Sequence, residues 1–272
     1  MKSKILTISL IASSSFLHAG FESIDDDDLG AISGQAGISI ESELYATIGS
    51  LEYTDEGSIS INDIVIGGAN KQTYFDVDWG PGTHSGNKLD GSIIKIDVLS
   101  DGDLVISGAP SPLVGNLIDF GFSTGSIELQ SSNGLVSSTL VDSINVSGLI
   151  AGFTSRIDAS SLHILTEVDV GIDDLDIDIS GLNMKIENVF IVDSTYYEKI
   201  EAFGAGSATV DNLTAYFSVD LYADDEGLHI KPLSLEFDMG IGAVSIAGES
   251  IGSFSLNNIN LSQSSMIVSG HP

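Results

Sequence analysis

The stretch GSISINDIVI, residues 57–66, decides the fold that the sequence predicts. Its first two isoleucines alternate with serines, as on a β-strand with one apolar and one polar face. Asn62 and Asp63 then intervene before two further isoleucines resume the alternation. Because side chains alternate with a period of two, the added residue would turn every later isoleucine to the opposite face. The pattern therefore predicts a β-bulge or a strand corner at the polar pair, where asparagine and aspartate tolerate a left-handed backbone.

Related patterns recur along the chain. Two close copies are GSATVDNLTA, which begins at Gly206, and GSFSLNNINL, which begins at Gly252. Looser copies are SINVSGLIA at 143–151, IDISGLNM at 177–184 and MKIENVFI at 184–191. Burial of each isoleucine or leucine contributes about 1.5–3 kcal/mol to stability. The backbone therefore has to bend at every such step to keep these side chains buried. The irregular spacing argues against a solenoid of fixed period, and the steps predict strands that curve around an interior.

Short alternating runs rich in Ile, Val, Leu and Thr follow one another from residue 37 onward. Between them lie four turns that are typical of hairpins, because glycine and asparagine tolerate positive φ: TDEG at 54–57, SDGD at 100–103, SSNG at 131–134 and ADDEG at 223–227. Hairpins join antiparallel neighbours. We therefore predict an all-β fold, a curved and mainly antiparallel sheet that forms a sandwich or a barrel-like wrap.

Prolines mark a boundary within this β-rich part. Pro110 and Pro112, in APSPLVGN, cannot occupy a central strand because proline lacks the N–H that the ladder needs. We predict an N-terminal β region at 37–109 and a C-terminal β region at 110–272, both on one continuing sheet.

The N-terminus has the features of a secretory signal peptide. Lys2 and Lys4 precede the uncharged run ILTISLIASSSFL, and the small residue Ala19 follows it. This run is shorter than the roughly 20 apolar residues that cross a bilayer as a helix. Residues 1–19 are therefore predicted to be a signal helix that is cleaved on export, which leads to the cell surface, the extracellular space or the periplasm.

Residues 20–36 are predicted to form a short helix and a linker. Ser23 can cap the helix, and the four aspartates at 25–28 suit its first turn because carboxylates interact favourably with the helix dipole. A metal site is the alternative for four consecutive aspartates. Neighbouring side chains on a helix splay about 100° apart, however, so they do not converge on one ion.

The chain is strongly acidic and yet hydrophobic. It carries 39 Asp and Glu against nine Lys and Arg, a formal net charge of −30, while 42% of its residues are hydrophobic. This charge opposes binding to nucleic acid or to an anionic membrane surface. The hydrophobic content predicts a packed fold rather than a disordered chain. With no cysteine, that fold depends on its core and hydrogen bonds.

Signatures of catalysis are missing from the sequence. It has no HExxH spacing. The letters GxSxG occur at 121–125 and 248–252, but both lie in segments without helical periodicity, whereas a nucleophile elbow lies between a strand and a helix. Acidic residues are so abundant that no particular pair stands out as an acid–base couple. We therefore predict no catalytic, cofactor-binding or metal-binding residues, and a protein that is not an enzyme. The histidines are His18, His84, His163, His229 and His271.

Calcium is the chemical alternative that stays open. Asp174, Asp176 and Asp178 would share one face of a strand, about 6–7 Å apart. Neighbouring carboxylates at that distance repel by only roughly 0.6 kcal/mol in water, so such a face is stable without an ion. The EF-hand pattern is absent from the sequence.

The segment LGAISGQAGISIE, residues 29–41, follows the predicted signal and the acidic run. It resembles the N-terminal signature of a bacterial exported family of pilus-system proteins of the FilA type, also described as a domain of unknown function. IGSLEYTDEGSISINDIVIGGA at 48–69 and IDVLSDGDLVISG at 96–108 are similar to that family as well. The resemblance implies a surface or appendage role and brings no catalytic residues with it.

Two functions follow as expectations. The first is a non-catalytic structural or assembly protein of a cell-surface appendage or an extracellular matrix, whose partners are other protein subunits or further copies of itself. The second is a periplasmic or secreted module that binds an apolar ligand within the curved sheet.

Overall fold

The computed structural model describes residues 37–71, 73–75, 77–78, 87–110, 117–198 and 213–270. Over these residues the chain is almost entirely β-strand, with one 3₁₀ turn at Ser180–Leu182. The strands are β1 Ile38–Leu44, β2 Ala46–Thr54, β3 Gly57–Gly67, β4 Thr73–Tyr74, β5 Val77–Asp78, β6 Leu89–Val98, β7 Leu104–Pro110, β8 Ile118–Thr124, β9 Ile127–Ser131, β10 Ser137–Val141, β11 Ser143–Ile157, β12 Ile164–Ile179, β13 Met184–Val192, β14 Ala215–Asp224, β15 Gly227–Ile246, β16 Glu249–Asn260 and β17 Met266–Val268.

Fifteen of these strands form one curved antiparallel sheet, which confirms the predicted fold class. The sheet has eight lateral positions, which we call columns, and several columns hold two or three strands end to end. Each column pairs with the next in chain order, so the chain is a meander of long columns. The columns are, in order, β1–β2, β3 with β6, β7–β8–β9, β10–β11, β12, β13 with β14, β15, and β16–β17.

All four predicted hairpin turns connect neighbouring columns. TDEG joins β2 to β3, SDGD joins β6 to β7, SSNG joins β9 to β10, and ADDEG joins β14 to β15. Gly102, Gly134 and Gly227 have φ of 93°, 69° and 140°, which explains glycine at these turns.

Left-handed residues lie at the polar pairs, as predicted. Asp63 has φ 51° in β3, Asn188 has φ 54° in β13 and Asn258 has φ 56° in β16. Asn188 and Asn258 are the additional residues at β-bulges, because the register shifts across each of them. The register of β3 does not shift at Asp63. Gly49 lies opposite Asp63 on the first column, and Gly125 lies opposite it on the third column.

Two of the looser copies do not contain the predicted step. Residues 180–182 of IDISGLNM form the 3₁₀ turn between columns five and six, and Asn183, with φ 47°, ends that turn. In SINVSGLIA the register does shift between Ser147 and Gly148, but the additional residue is Asp173, in the facing strand β12. Both predictions were wrong because short Ser-Gly pairs also suit turns and close strand contacts.

A small core surrounds Leu149, near the middle of β11. Tyr74, Leu117 and Leu149 are at most 1% exposed and pack with Ala69, Phe75 and Ala151. Tyr74 belongs to the β4–β5 hairpin, which is part of the chain between β3 and β6. Leu213, two residues before β14, and Ala215, the first residue of β14, are also fully buried.

Several predictions fall outside the described residues: the signal peptide at 1–19, the short helix at 20–36, most of the copy that begins at Gly206, and His18, His84 and His271. Pro110 is the last residue of β7, which pairs with both β6 and β11, so the prediction that this proline lies outside a central strand was wrong. Pro110 pairs with Ser92 of β6 and lies beyond Gly108, where the pairing with β11 ends. The sheet continues on both sides of Pro110. The division at residue 110 remains a prediction.

Candidate functional site

One face of the sheet is apolar across its whole width. The register brings one residue from each of the eight columns into a single row, and all eight are apolar: Ala46, Ile66, Phe122, Val146, Leu175, Val189, Ile241 and Phe254. Paired residues share a face, so this row is a continuous apolar stripe.

The same face carries apolar rows farther along the columns. In β12, Val168, Val170 and Ile172 alternate on this face, and the bulge at Asp173 brings Leu175 back to it. A row near the other end of the sheet crosses seven columns: Val98, Leu104, Ile157, Ile164, Leu221, Ile230 and Met266. We call this surface the apolar face. Between these rows, residues such as Asp97, Arg156 and Lys231 lie on the opposite, polar face.

Aspartate carboxylates hold the left-handed steps in place. The backbone N–H of Asn258 donates to Asp238 Oδ1 at 2.7 Å, and that of Asn188 donates to Asp176 Oδ1 at 2.9 Å. Charge-assisted hydrogen bonds of this kind are about twice as strong as neutral ones. These aspartates therefore have a structural role.

Two further left-handed residues use the same device in the connection between β3 and β6. Asn70 has φ 56° and Phe75 has φ 52°. Asp119 accepts the N–H of Asn70 at 3.2 Å, and Asp173 accepts the N–H of Phe75 at 2.5 Å. Asp119 is 1% exposed and also accepts the Tyr74 hydroxyl, and burial together with this carboxylate raises the pKa of Tyr74.

Lys71 is at the centre of a polar cluster of one serine and two aspartates. Its Nζ donates to Ser147 Oγ at 2.7 Å, to Asp173 Oδ2 at 3.1 Å and to Asp174 Oδ2 at 3.3 Å. Two cavities of about 250 and 290 Å³ meet at Lys71 and Asp174. A serine beside a lysine can support nucleophilic catalysis when the amine accepts the hydroxyl proton. Here the ammonium group of Lys71 is shared between two carboxylates and ion-pairs the connection after β3 to β12. We call the ion pairs of Lys71 with Asp173 and Asp174 the strap.

The predicted acidic strand face exists, and each of its carboxylates has a protein partner. Asp174 contacts Lys71, Asp176 accepts from the backbone of Asn188, and Asp178 pairs with Lys185 at 2.5 Å. The hydrogen bond that Lys185 donates to Asp178 raises the pKa of Lys185. No cluster of three potential metal ligands occurs among residues 37–270 outside the gaps named above.

The two described histidines enclose a tyrosine. His163 stacks on Tyr222 at 4.4 Å between ring centroids, and Tyr222 stacks on His229 at 4.5 Å. His163 Nδ1 lies 3.1 Å from Asp220, and His229 Nε2 lies 2.8 Å from Asp224. The hydrogen bond from His229 lowers the pKa of Asp224. The stack links columns five, six and seven and contains no nucleophile.

Both edges of the sheet expose apolar side chains. The first edge is residues 38–54, which comprise β1 and β2, and the last edge is residues 249–268, which comprise β16 and β17. Among the described strands, β16 and β17 pair only with β15, and β1 and β2 pair only with β6 and β3. The first edge exposes Ile38, Ile40, Leu44, Tyr45, Leu51 and Tyr53, and the last edge exposes Ile251, Phe254, Leu256, Leu261, Met266, Ile267 and Val268.

Sequence reasoning found the acidic strand face and the left-handed steps but missed the strap. Lys71 lies in an irregular segment, and its carboxylate partners are about a hundred residues away in the chain. Asp119 is equally inconspicuous in the sequence. The one available signal was that Lys71 is a rare cation in an acidic chain.

A family model matches the N-terminal part of the chain. The model of a family of unknown function, DUF6160, matches residues 1–100, which include the first edge and β6. No curated protein and no solved structure matches the chain. Within the described residues, no helix has the length and apolar character needed to span a membrane.

Proposed function

We propose that this chain is a non-catalytic, exported structural or assembly protein of a bacterial cell-surface appendage, a pilus-like system of the FilA type, or of an extracellular matrix. The observation that carries the proposal is the last edge, a long strand edge with seven exposed apolar side chains. Such an edge offers backbone N–H and C=O groups together with apolar surface to a protein partner.

The charge distribution supports a protein partner. With a net charge of −30, the chain repels nucleic acid and anionic lipid headgroups, whereas an apolar strand edge suits another polypeptide. The partners are other protein subunits of a surface assembly, and self-association is included among them.

The N-terminal part supports the location. The predicted signal at 1–19 and the similarity of residues 29–41 to exported pilus-system proteins both favour export. The match to the family of unknown function covers this same part of the chain.

Electron microscopy of the producing cells tests this function. Cells with the gene, without it, and with the gene restored are labelled with a gold-conjugated antibody against the chain. We expect label on extracellular fibres or matrix, and loss of those structures when the gene is deleted. Label confined to the periplasm, with surface structures unchanged by the deletion, would contradict the proposal.

An apolar-ligand module is the second candidate, and the apolar face favours it. Rows of apolar side chains cross seven or eight columns without a charged residue, as a binding surface for acyl chains would require. Native mass spectrometry distinguishes this candidate from the first. A lipid that co-purifies in a defined ratio favours ligand binding, and protein without bound lipid opposes it.

A further inference from the structure

We infer that the partner of the last edge is the first edge of a second copy of this chain, so that copies join head to tail and extend one sheet. This inference rests on the proposed function and names its partner. It depends on the composition of the two edges, on their directions, and on the rows that end at them.

The last edge lacks the cations and prolines that protect many natural sheet edges. Proteins commonly block their edges with lysines, prolines or inward-pointing charges. Residues 249–268 contain no proline and no cation, and Glu249 is their one charged residue. In a chain with 39 acidic residues, this is a charge-poor edge.

The first edge is suited to receive it. Residues 38–54 contain no proline and no cation, and their acidic residues are Glu41, Glu43 and Glu52. Glu43 already pairs with Lys88 at 2.5 Å. Contact between two first edges would bring six glutamates together, and contact between two last edges would leave every first edge uncovered. Only the contact of last edge with first edge covers both with a single interface.

The directions of the strands fit this contact. Neighbouring columns are antiparallel and the sheet has eight of them, so the first and last columns run in opposite directions. A second copy placed beside the last edge in the same orientation therefore presents its first edge antiparallel to it. The junction continues the meander as if it were one more step between columns.

The apolar rows also continue across such a junction. The row that crosses all eight columns ends at Phe254 on the last edge and begins at Ala46 on the first. When these two residues are neighbours, the apolar face runs without interruption into the next copy. Because the contact joins two different surfaces, it repeats without closing unless the copies rotate into a ring.

Edge variants test this inference, with the oligomeric state measured by light scattering and sedimentation velocity. Association is measured from low salt to 0.5 M NaCl, because charge repulsion between copies is screened with a Debye length of about 8 Å at 0.15 M. We expect the wild-type chain to form a series of oligomers that grows with salt and concentration. Phe254→Lys should return it to monomer at every salt concentration.

Leu135→Lys is the matched control, since Leu135 is 83% exposed in the turn between β9 and β10 and the change adds the same charge. This variant should assemble like the wild type. A wild-type monomer at all salt concentrations, equal loss of assembly in both variants, or a closed dimer as the largest species would each overturn the inference.

Introduced cysteines test the pairing itself, because the chain has none of its own. Thr47 and Ser253 are exposed, and they become neighbours when Phe254 lies beside Ala46 of the next copy. On oxidation, Thr47→Cys with Ser253→Cys should give covalent trimers and larger species, whereas either single variant can give at most dimers. Dimers alone from the double variant would contradict head-to-tail joining.

These results separate the inference from the proposed function. If purified chains stay monomeric while deletion of the gene still removes labelled surface structures, the partner is a different subunit and the proposed function stands. If chains assemble head to tail but no label reaches the cell surface, the pairing stands and the proposed function fails.

Discussion

Asn258 and Asp238 meet where the last edge joins the sheet. The backbone N–H of left-handed Asn258 donates to Asp238 Oδ1 at 2.7 Å, and Asp238 is 1% exposed. The bulge that re-aims the last edge is therefore held by a buried carboxylate on the column before it.

Replacement of Asn258 should reveal the cost of its backbone conformation. A left-handed φ costs most L-residues roughly 1–2 kcal/mol, and glycine adopts it without strain. We expect Asn258→Val to lower the free energy of unfolding by about 1–2 kcal/mol more than Asn258→Gly does, measured by urea denaturation. Asn257→Val is the control, since Asn257 has no positive φ. Equal losses in all three variants would show that conformation is not the cause.

Protonation of Asp238 should stabilise the fold. Burial raises the pKa of Asp238 above its ordinary value of 3.8, so the native protein binds this proton more tightly than the unfolded chain does. Stability from this group is therefore gained as pH falls through the raised pKa, and it is lost as pH rises. Asp238→Asn keeps an acceptor for Asn258 and lacks the titration. We expect the free energy of unfolding of the wild type, measured by urea denaturation, to exceed that of the variant by more at pH 4.5 than at pH 7. The same difference at both pH values would contradict a raised pKa of Asp238.

Lys71 should matter more than other surface lysines. Lys71→Met leaves Asp173, whose side chain is 13% exposed, and Asp174 beside each other without a cation. We expect a loss of about 1.5–3 kcal/mol in the free energy of unfolding, because hydrogen bonds to charged groups are worth about that much. Lys88→Met breaks the exposed pair with Glu43 and should cost less than about 1 kcal/mol. A larger loss of stability for Lys88→Met than for Lys71→Met would argue against the strap.

Gly148 should not tolerate a side chain. A Cβ at this position would lie 2.1 Å from the carbonyl oxygen of Gly171 and 2.8 Å from the ring of Phe120. Overpacking of this kind costs typically about 1–3 kcal/mol, so we expect Gly148→Ala to lower the melting temperature markedly or to prevent folding. Gly49 has open space around it, and Gly49→Ala should stay within about 0.5 kcal/mol of wild type. Comparable melting temperatures for both variants would contradict this packing.

Much of the fold follows from local sequence patterns. The period-two alternation, the four hairpin turns and the left-handed residues Asp63, Asn188 and Asn258 all depend on near neighbours in the chain. These features were therefore predictable, as was the shared face of the three aspartates in β12.

Features that depend on pairing between distant parts of the chain could not be predicted from local sequence patterns. The eight-residue apolar row exists because seven registers agree, and no local pattern fixes how far one hairpin slides against the next. Likewise, Lys71 and Asp173 approach each other only after β3 and β12 have joined the same sheet. Export, the surface role and the family relation depend on residues outside the described part or on experiments in cells, and they stay predictions.

The left-handed steps bear on how such an exposed edge avoids amyloid. A cross-β fibril needs identical, straight segments that stack every 4.7–4.8 Å, with interdigitated side chains between paired sheets. Asn258 interrupts the last edge near its middle, so neither half offers a long uniform zipper. Growth at this edge accordingly requires a complete folded copy with a matching bend, and a stray unfolded segment finds no straight template.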